Sequence, residues 1–178
     1  MDLVEEARLG NNEAFEQLIK ENKLKMYKVA KSILKNEDDI CDAIQNALMS
    51  AYSNLNKLQN NKYFSTWLIR ILINKSYDII NKNQKSYSTT TDIDEYNSDE
   101  NLKSFDSYNS ESLIENVLCE LEDDLKTITV LYYYNDYSVG DISIILNIPE
   151  GTVKSRLSRA RKKIYEIIKS EEDVLWID

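Results

Sequence analysis

With 178 residues, 42% of them hydrophobic, the chain can build one ordinary domain or two small ones without help from metals or crosslinks. It has no histidine and two cysteines, Cys41 and Cys119, far from CxxC spacing, which excludes a disulfide framework and a Cys/His zinc site. The net charge of −9 speaks against a nucleic-acid partner only until it is divided: residues 1–85 carry 13 cations and 11 acids, 86–124 carry 1 and 12, and 125–178 carry 8 and 8.

Three glycines and one proline in the whole chain leave few turn formers, so the fold class is all-α. No basic-then-apolar segment precedes Asn11, and the longest apolar run, Trp67 to Ile73, is interrupted by Arg70. Neither a signal peptide nor a membrane span is expected, and the protein is expected to be cytoplasmic. Asn11 is placed to cap a first long helix entered through Glu13, with Phe15, Leu18, Ile19, Met26, Val29, Ala30 and Ile33 at helical spacing and Asn22-Lys23 as a candidate break. Asn36 followed by Glu37, Asp38 and Asp39 opens another helix, a side-chain acceptor at the cap and acids beside the positive end of the dipole. Its inward positions are Ile40, Ala43, Ile44, Ala47, Leu48, Ala51 and Leu55. A polar loop from Asn56 to Lys62 leads to a further helix from Phe64 or Ser65 to Asn81, with Phe64 and Trp67 read as core, and the helices form a bundle. Ser86 to Ser110 is rich in Ser, Thr, Asn and Asp without apolar periodicity and reads as a flexible acidic linker. The chain thus divides into two small helical domains, 1–85 and 111–170, joined by a linker at 86–110 and followed by a tail at 171–178.

Past the linker, the acids Glu120, Glu122, Asp123 and Asp124 read as a solvated helix start rather than a metal site, and Tyr132, Tyr133 and Tyr134 as packing residues with one or two phenols at the surface. Residues 138–164, SVGDISIILNIPEGTVKSRLSRARKKI, carry the strongest pattern. Ser138 and Asp141 form an S-x-x-D box before a short helix that turns Ile142, Ile145 and Leu146 inward. Asn147 stands where the chain must turn sharply, a position Asn tolerates in the left-handed conformation, and Pro149 suits the start of the next helix. Short helix, tight turn and longer helix make a helix-turn-helix. On the second helix Val153, Leu157, Ala160, Ile164, Ile167 and Ile168 gather on one face. Ser155, Ser158, Arg159 and Lys162 lie opposite, flanked by Lys154, Arg156, Arg161 and Lys163, so that six of the ten residues from 154 to 163 are cationic and none is acidic. Such a ridge fits a major groove, where arginine forks match guanine edges and phosphates. The same residues also suit a two-domain regulator whose first block binds an effector. With no histidine and no glycine-rich phosphate loop, catalytic machinery is not visible, and neither an enzyme activity nor a cofactor is expected.

The chain resembles the extracytoplasmic-function group of bacterial RNA polymerase sigma factors. LEDDLKTITVLYYYNDYSVGDISIILNIPEGTVKSRLSRARKKI, within residues 113–168, is similar to sigma region 4, with IPEGTVKSRLSRAR its most specific signature. DDICDAIQNALMSAYSNL is similar to the region 2 helix that docks on the polymerase clamp, and FSTWLIRILINKSYDII to the helix after the loop that reads the minus-ten element.

This resemblance implies a sigma region 2 bundle and a region 4 helix-turn-helix in a factor that directs core RNA polymerase to the promoters of a stress- or signal-responsive regulon. It implies polymerase docking by Asp42, Gln45 and Asn46, the last where the family usually carries an acid. Capture of an unstacked minus-ten base falls to Leu58, Gln59, Asn60, Asn61, Lys62, Tyr63 and Asn74. Reading of the minus-thirty-five element falls to Lys154, Ser155, Arg156, Ser158 and Arg159, with Lys162 from the cationic ridge, and Asn147 replaces a common glycine. The partners implied are core RNA polymerase, promoter DNA and an anti-sigma factor, in this family often membrane-anchored, with no small-molecule substrate.

Overall fold

The computed structural model describes the backbone of residues 2–88 and 116–175 and the side chains of 2–84 and 116–169, so the expected linker from residue 89 on lies outside the described residues. Every described element is helical. In chain order they are α1 (Leu3–Arg8), α2 (Asn12–Ile33), α3 (Glu37–Asn54), α4 (Phe64–Ser88), α5 (Asp123–Thr129), α6 (Val139–Leu146) and α7 (Glu150–Leu175). Two 3-10 turns, Leu55–Lys57 and Asn61–Tyr63, bridge α3 and α4, and a π turn, Val130–Tyr134, extends α5.

Local chemistry sets the helix starts. Asp2, Asn11 and Asn36 each accept a backbone N–H of the first turn, from Val4, Ala14 and Asp38. Helix α2 runs unbroken through Asn22 and Lys23, contrary to the expected break. The buried Asn22 amide donates to the Leu18 carbonyl at 2.8 Å and its oxygen accepts from Ser65 at 2.7 Å, so the residue has no polar group left to unwind the helix. Helix α4 is also longer than expected, ending at Ser88 rather than Asn81.

Helices α1 to α4 close on Met26, Val29, Ala30, Ile40, Ala43, Ala47, Leu68 and Leu72, and the alanines of α3 let α4 approach closely. The second block does not stand apart: Ile128, Leu131, Tyr137, Ile142 and Val153 belong to the same buried cluster as α2 and α4. Tyr137 is the polar centre of that junction. Its hydroxyl lies 2.6 Å from Ser65 Oγ, and the Lys25 ammonium sits 5.4 Å from its ring centre. Lys28 lies 4.8 Å from the ring centre of Tyr134, and the buried Asn135 amide donates to the Lys25 carbonyl at 3.5 Å. Burial pushes the Tyr137 hydroxyl above its ordinary pKa, the Ser65 hydrogen bond draws it back, and Asp141 adds to the rise. A smaller apolar group, Val117, Leu121, Leu125, Ala160 and Ile167, joins α5 to α7.

Candidate nucleic-acid interface

Ser138 Oγ accepts the Asp141 N–H at 3.1 Å, and Asp141 Oδ2 accepts the Ser138 N–H at 3.2 Å, so the capping box that opens α6 is complete. Asn147 closes the helix at φ 54° and ψ 47°, with its N–H on the Ser143 carbonyl. The Ile148 N–H shares that carbonyl while the Ser143 hydroxyl donates to Ile148 O at 2.6 Å, which ties both sides of the turn together. Pro149, just ahead of Glu150, offers its carbonyl to the N–H groups of Thr152 and Val153.

This scaffold fixes the roll of α7. Val153 and Ala160 are 0% exposed and Leu157 3%, while Lys154, Ser155, Ser158, Arg159, Arg161, Lys162 and Lys163 are exposed. Arg156 keeps its expected place on the flank, and one expected position differs. Arg156 stands about 60° round the helix from Val153, near enough to the seam for its Nε to pair with Asp124 Oδ2 at 3.2 Å. It is half-buried on the flank toward α5 and does not stand on the outer ridge. Ile168, expected inward, is 38% exposed. The ridge also has an acidic border, since Arg159, Lys162 and Lys163 line a shallow groove with Glu120, Glu122 and Glu166. Ser155 is exposed and donates to the Thr152 carbonyl at 2.9 Å.

The second surface lies between α3 and α4. Gln59, Asn60, Lys62 and Tyr63 are exposed and adjacent, with Asn61 partly covered. Asn60 Oδ1 accepts the Lys62 N–H at 3.0 Å and its carbonyl accepts the Tyr63 N–H at 3.1 Å, which curls the loop. Leu58 corrects the expectation: at 7% exposure its side chain is core, because apolar surface there is buried under the loop instead of being offered to a base. Asn74 is exposed, but ten residues into α4 it sits about 15 Å along the axis from Phe64 and is not brought beside the loop. Phe64 is buried, with Trp67 packed half-buried beside it at 6.1 Å between ring centres.

On α3, Asp42, Gln45 and Asn46 share one exposed stripe with Cys41 and Met49, opposite the alanines that face α4. Among the described residues no cluster of acids and cysteines could hold a metal ion, and no helix is long and apolar enough to cross a membrane. Of Tyr132, Tyr133 and Tyr134, only Tyr133 is largely exposed, and its hydroxyl accepts from Arg161 at 3.5 Å.

Residues 18–86 match the Sigma-70 region 2 family and residues 112–164 match Sigma-70 region 4. The chain belongs to the extracytoplasmic-function family of RNA polymerase sigma factors. It is an alternative sigma factor that directs transcription, in a family of non-catalytic initiation factors. It is 29% identical over 175 residues to the ECF RNA polymerase sigma factor SigW of Bacillus subtilis, covering 90% of this chain and 92% of that one. It is 28% identical over 173 residues to the RNA polymerase sigma-H factor of Pseudomonas aeruginosa, covering 91% and 90%. Two solved structures share the fold: CnrH in complex with the cytosolic domain of CnrY, with TM-score 0.70 at 21% identity over 94% of this chain and 96% of that one, and RpoE in complex with the anti-sigma factor NepR from Bartonella quintana, with 0.72 at 23% over 87% and 96%.

Arg8, Lys25, Ser65 and Tyr137 carry no local signal of their roles, because their contacts cross between elements far apart in the chain. Asp136, just after the π turn, takes the left-handed conformation at φ 56°. A polar residue before the capping box was a visible sign of a turn, but nothing local marks its handedness.

Proposed function

We propose that this sigma factor reads the minus-thirty-five element with the outer ridge of α7, where Lys154, Ser155, Ser158, Arg159 and Lys162 enter the major groove and Arg156 acts from the flank. The observation that carries this reading is the roll of α7: its apolar seam is sealed against α5 and α6 while every residue of the opposite face stays in solvent. The loop Gln59 to Tyr63 takes the unpaired minus-ten strand, with Lys62 on phosphate and Tyr63 stacked on a base, and Asn74 contacts the strand farther along α4. Asp42, Gln45 and Asn46 dock on core polymerase through the exposed stripe of α3.

In this reading residues 1–85 and 111–170 act as the polymerase-docking and upstream-reading domains, with the segment between as linker. The protein works in the cytoplasm without catalysing a reaction or taking a cofactor or small-molecule substrate, and serves a stress- or signal-responsive regulon. An anti-sigma factor, such as those seen with the two structural neighbours, restrains it. The test is runoff transcription with purified chain and core polymerase. Specific transcripts from one promoter class are expected, lost when Lys154, Arg159 and Lys162 are replaced together by Ala. Transcription unchanged by that triple replacement overturns the upstream-reading role.

A further inference from the structure

Helix α1 has only six residues, yet both its ends reach the loop between α3 and α4. At the carboxy-terminal end, Arg8 donates through Nε to the Leu55 carbonyl at 3.3 Å and through Nη2 to the Leu58 carbonyl. At the amino-terminal end Asp2, which caps the helix through Oδ1, accepts the Asn61 side-chain amide on Oδ2. Val4 and Ala7, both buried, pin the helix between these two contacts.

The Leu58 carbonyl, just past the 3-10 turn, lacks the next N–H of a continuing helix and takes its donor from elsewhere, while the Leu55 carbonyl accepts the Leu58 N–H at 3.2 Å and has a second lone pair for Arg8. A planar guanidinium with several fixed N–H donors can hold both carbonyls at once, and its charge strengthens both bonds. Leu55 and Leu58 point their side chains into the core, so their backbone can be held firmly without covering the exposed Gln59, Asn60, Lys62 and Tyr63 just after them. Arg8 is half-buried and commits Nε and Nη2, one edge of its fork, to the backbone of the loop.

We propose that Arg8 is a positioning residue for minus-ten recognition, with Asp2 as the second point of a clamp through which α1 presets the strand-binding loop. This inference rests on the reading of residues 59–63 as the strand-binding surface. Loop order fixed during folding does not have to be acquired when the single strand binds, so loss of the clamp weakens capture of the open strand without removing a DNA contact.

The experiment uses holoenzyme assembled from core polymerase and the full chain, with a fluorescein-labelled single-stranded oligonucleotide carrying the non-template minus-ten region of a promoter mapped by runoff transcription. Anisotropy titrations are run over a range of salt. Arg8→Ala is expected to weaken strand affinity roughly tenfold with an unchanged salt slope, because no phosphate contact is lost. Arg8→Lys recovers part of the loss, Asp2→Ala gives a smaller loss, and affinity for core polymerase is unaltered. Lys62→Ala lowers the salt slope by about one and Tyr63→Ala weakens binding, which tests the loop itself.

Wild-type strand affinity in Arg8→Ala overturns the proposal, as does a salt slope reduced by about one, which would make Arg8 a direct phosphate ligand. If Arg8→Ala fails to fold, Arg8→Lys and Asp2→Ala decide, and wild-type affinity in both is equally fatal. Unchanged binding in Lys62→Ala and Tyr63→Ala would instead remove the loop reading on which the clamp depends.

Discussion

Tyr137 joins the two halves of the molecule, and replacing it should separate them while leaving each folded. In Tyr137→Phe the hydroxyl 2.6 Å from Ser65 is lost, but Ser65 still donates to Asn22 at 2.7 Å, so no buried donor is orphaned. The cost is then that of one ordinary hydrogen bond, about 0.5–1.5 kcal/mol, or up to roughly a tenfold shift toward the undocked state. Tyr137→Ala removes a buried ring as well, about 3–5 kcal/mol by comparison with other large aromatic truncations, together with the Lys25 contact, worth about 0.5–1 kcal/mol. Cys41 and Cys119 are both exposed, one in each block, and provide attachment points for a donor and an acceptor dye. Energy transfer should fall slightly in the Phe variant and strongly in the Ala variant, with helicity by far-ultraviolet circular dichroism retained. The pH dependence has a definite sign. Because burial raises the folded-state pKa of Tyr137 above the ordinary 10.0, its contribution is complete below that pH and is lost as pH climbs through the raised value. Transfer efficiency in Tyr137→Ala equal to that of the wild type, or helicity lost in step with transfer, would refute this account of the junction.

Three further outcomes follow from local geometry. Arg159→Ala should weaken upstream promoter binding by about 1–3 kcal/mol in a footprinting titration, and an equal loss on every DNA sequence would show that it touches phosphate alone. Asn147→Ala places a side chain without a compensating polar group at φ 54° and should lower stability to chemical denaturation by about 1–2 kcal/mol, whereas Asn147→Gly should stay within about 1 kcal/mol of the wild type. Ser138→Ala opens the capping box of α6 and should cost about 0.5–2 kcal/mol, read as a lower denaturation midpoint at constant slope.

Much of the local architecture was legible because it is written in short-range chemistry. Asn11, Asn36 and the Ser138–Asp141 box accept hydrogen bonds from N–H groups within three residues of themselves, so the helix starts need no distant partner. Likewise, a helical repeat in Val153, Leu157 and Ala160 defines a buried seam whatever covers it, and the ridge of cations opposite follows from the same periodicity.

Tertiary structure decided the rest, since it depends on which surfaces meet. Arg156 and Lys154 look equivalent in a run of cations, but only Arg156 has Asp124 brought beside it, 32 positions away in the chain. Leu58 sits in a polar loop whose composition suggests exposure, and its side chain is buried in the shared core of the helices. The acidic segment marks two small domains and leaves their relative placement open, and only the folded chain brings Tyr137, Ser65 and Lys25 into a shared interior. By itself the sequence determined the caps at Asn11, Asn36 and Ser138 and the outward face of the recognition helix, because those obey rules of spacing along one chain. The brace under the strand-binding loop and the junction between the halves were settled only in three dimensions, because a guanidinium or a phenol shows no sign in its own neighbours of the carbonyl or hydroxyl that folding will bring to it.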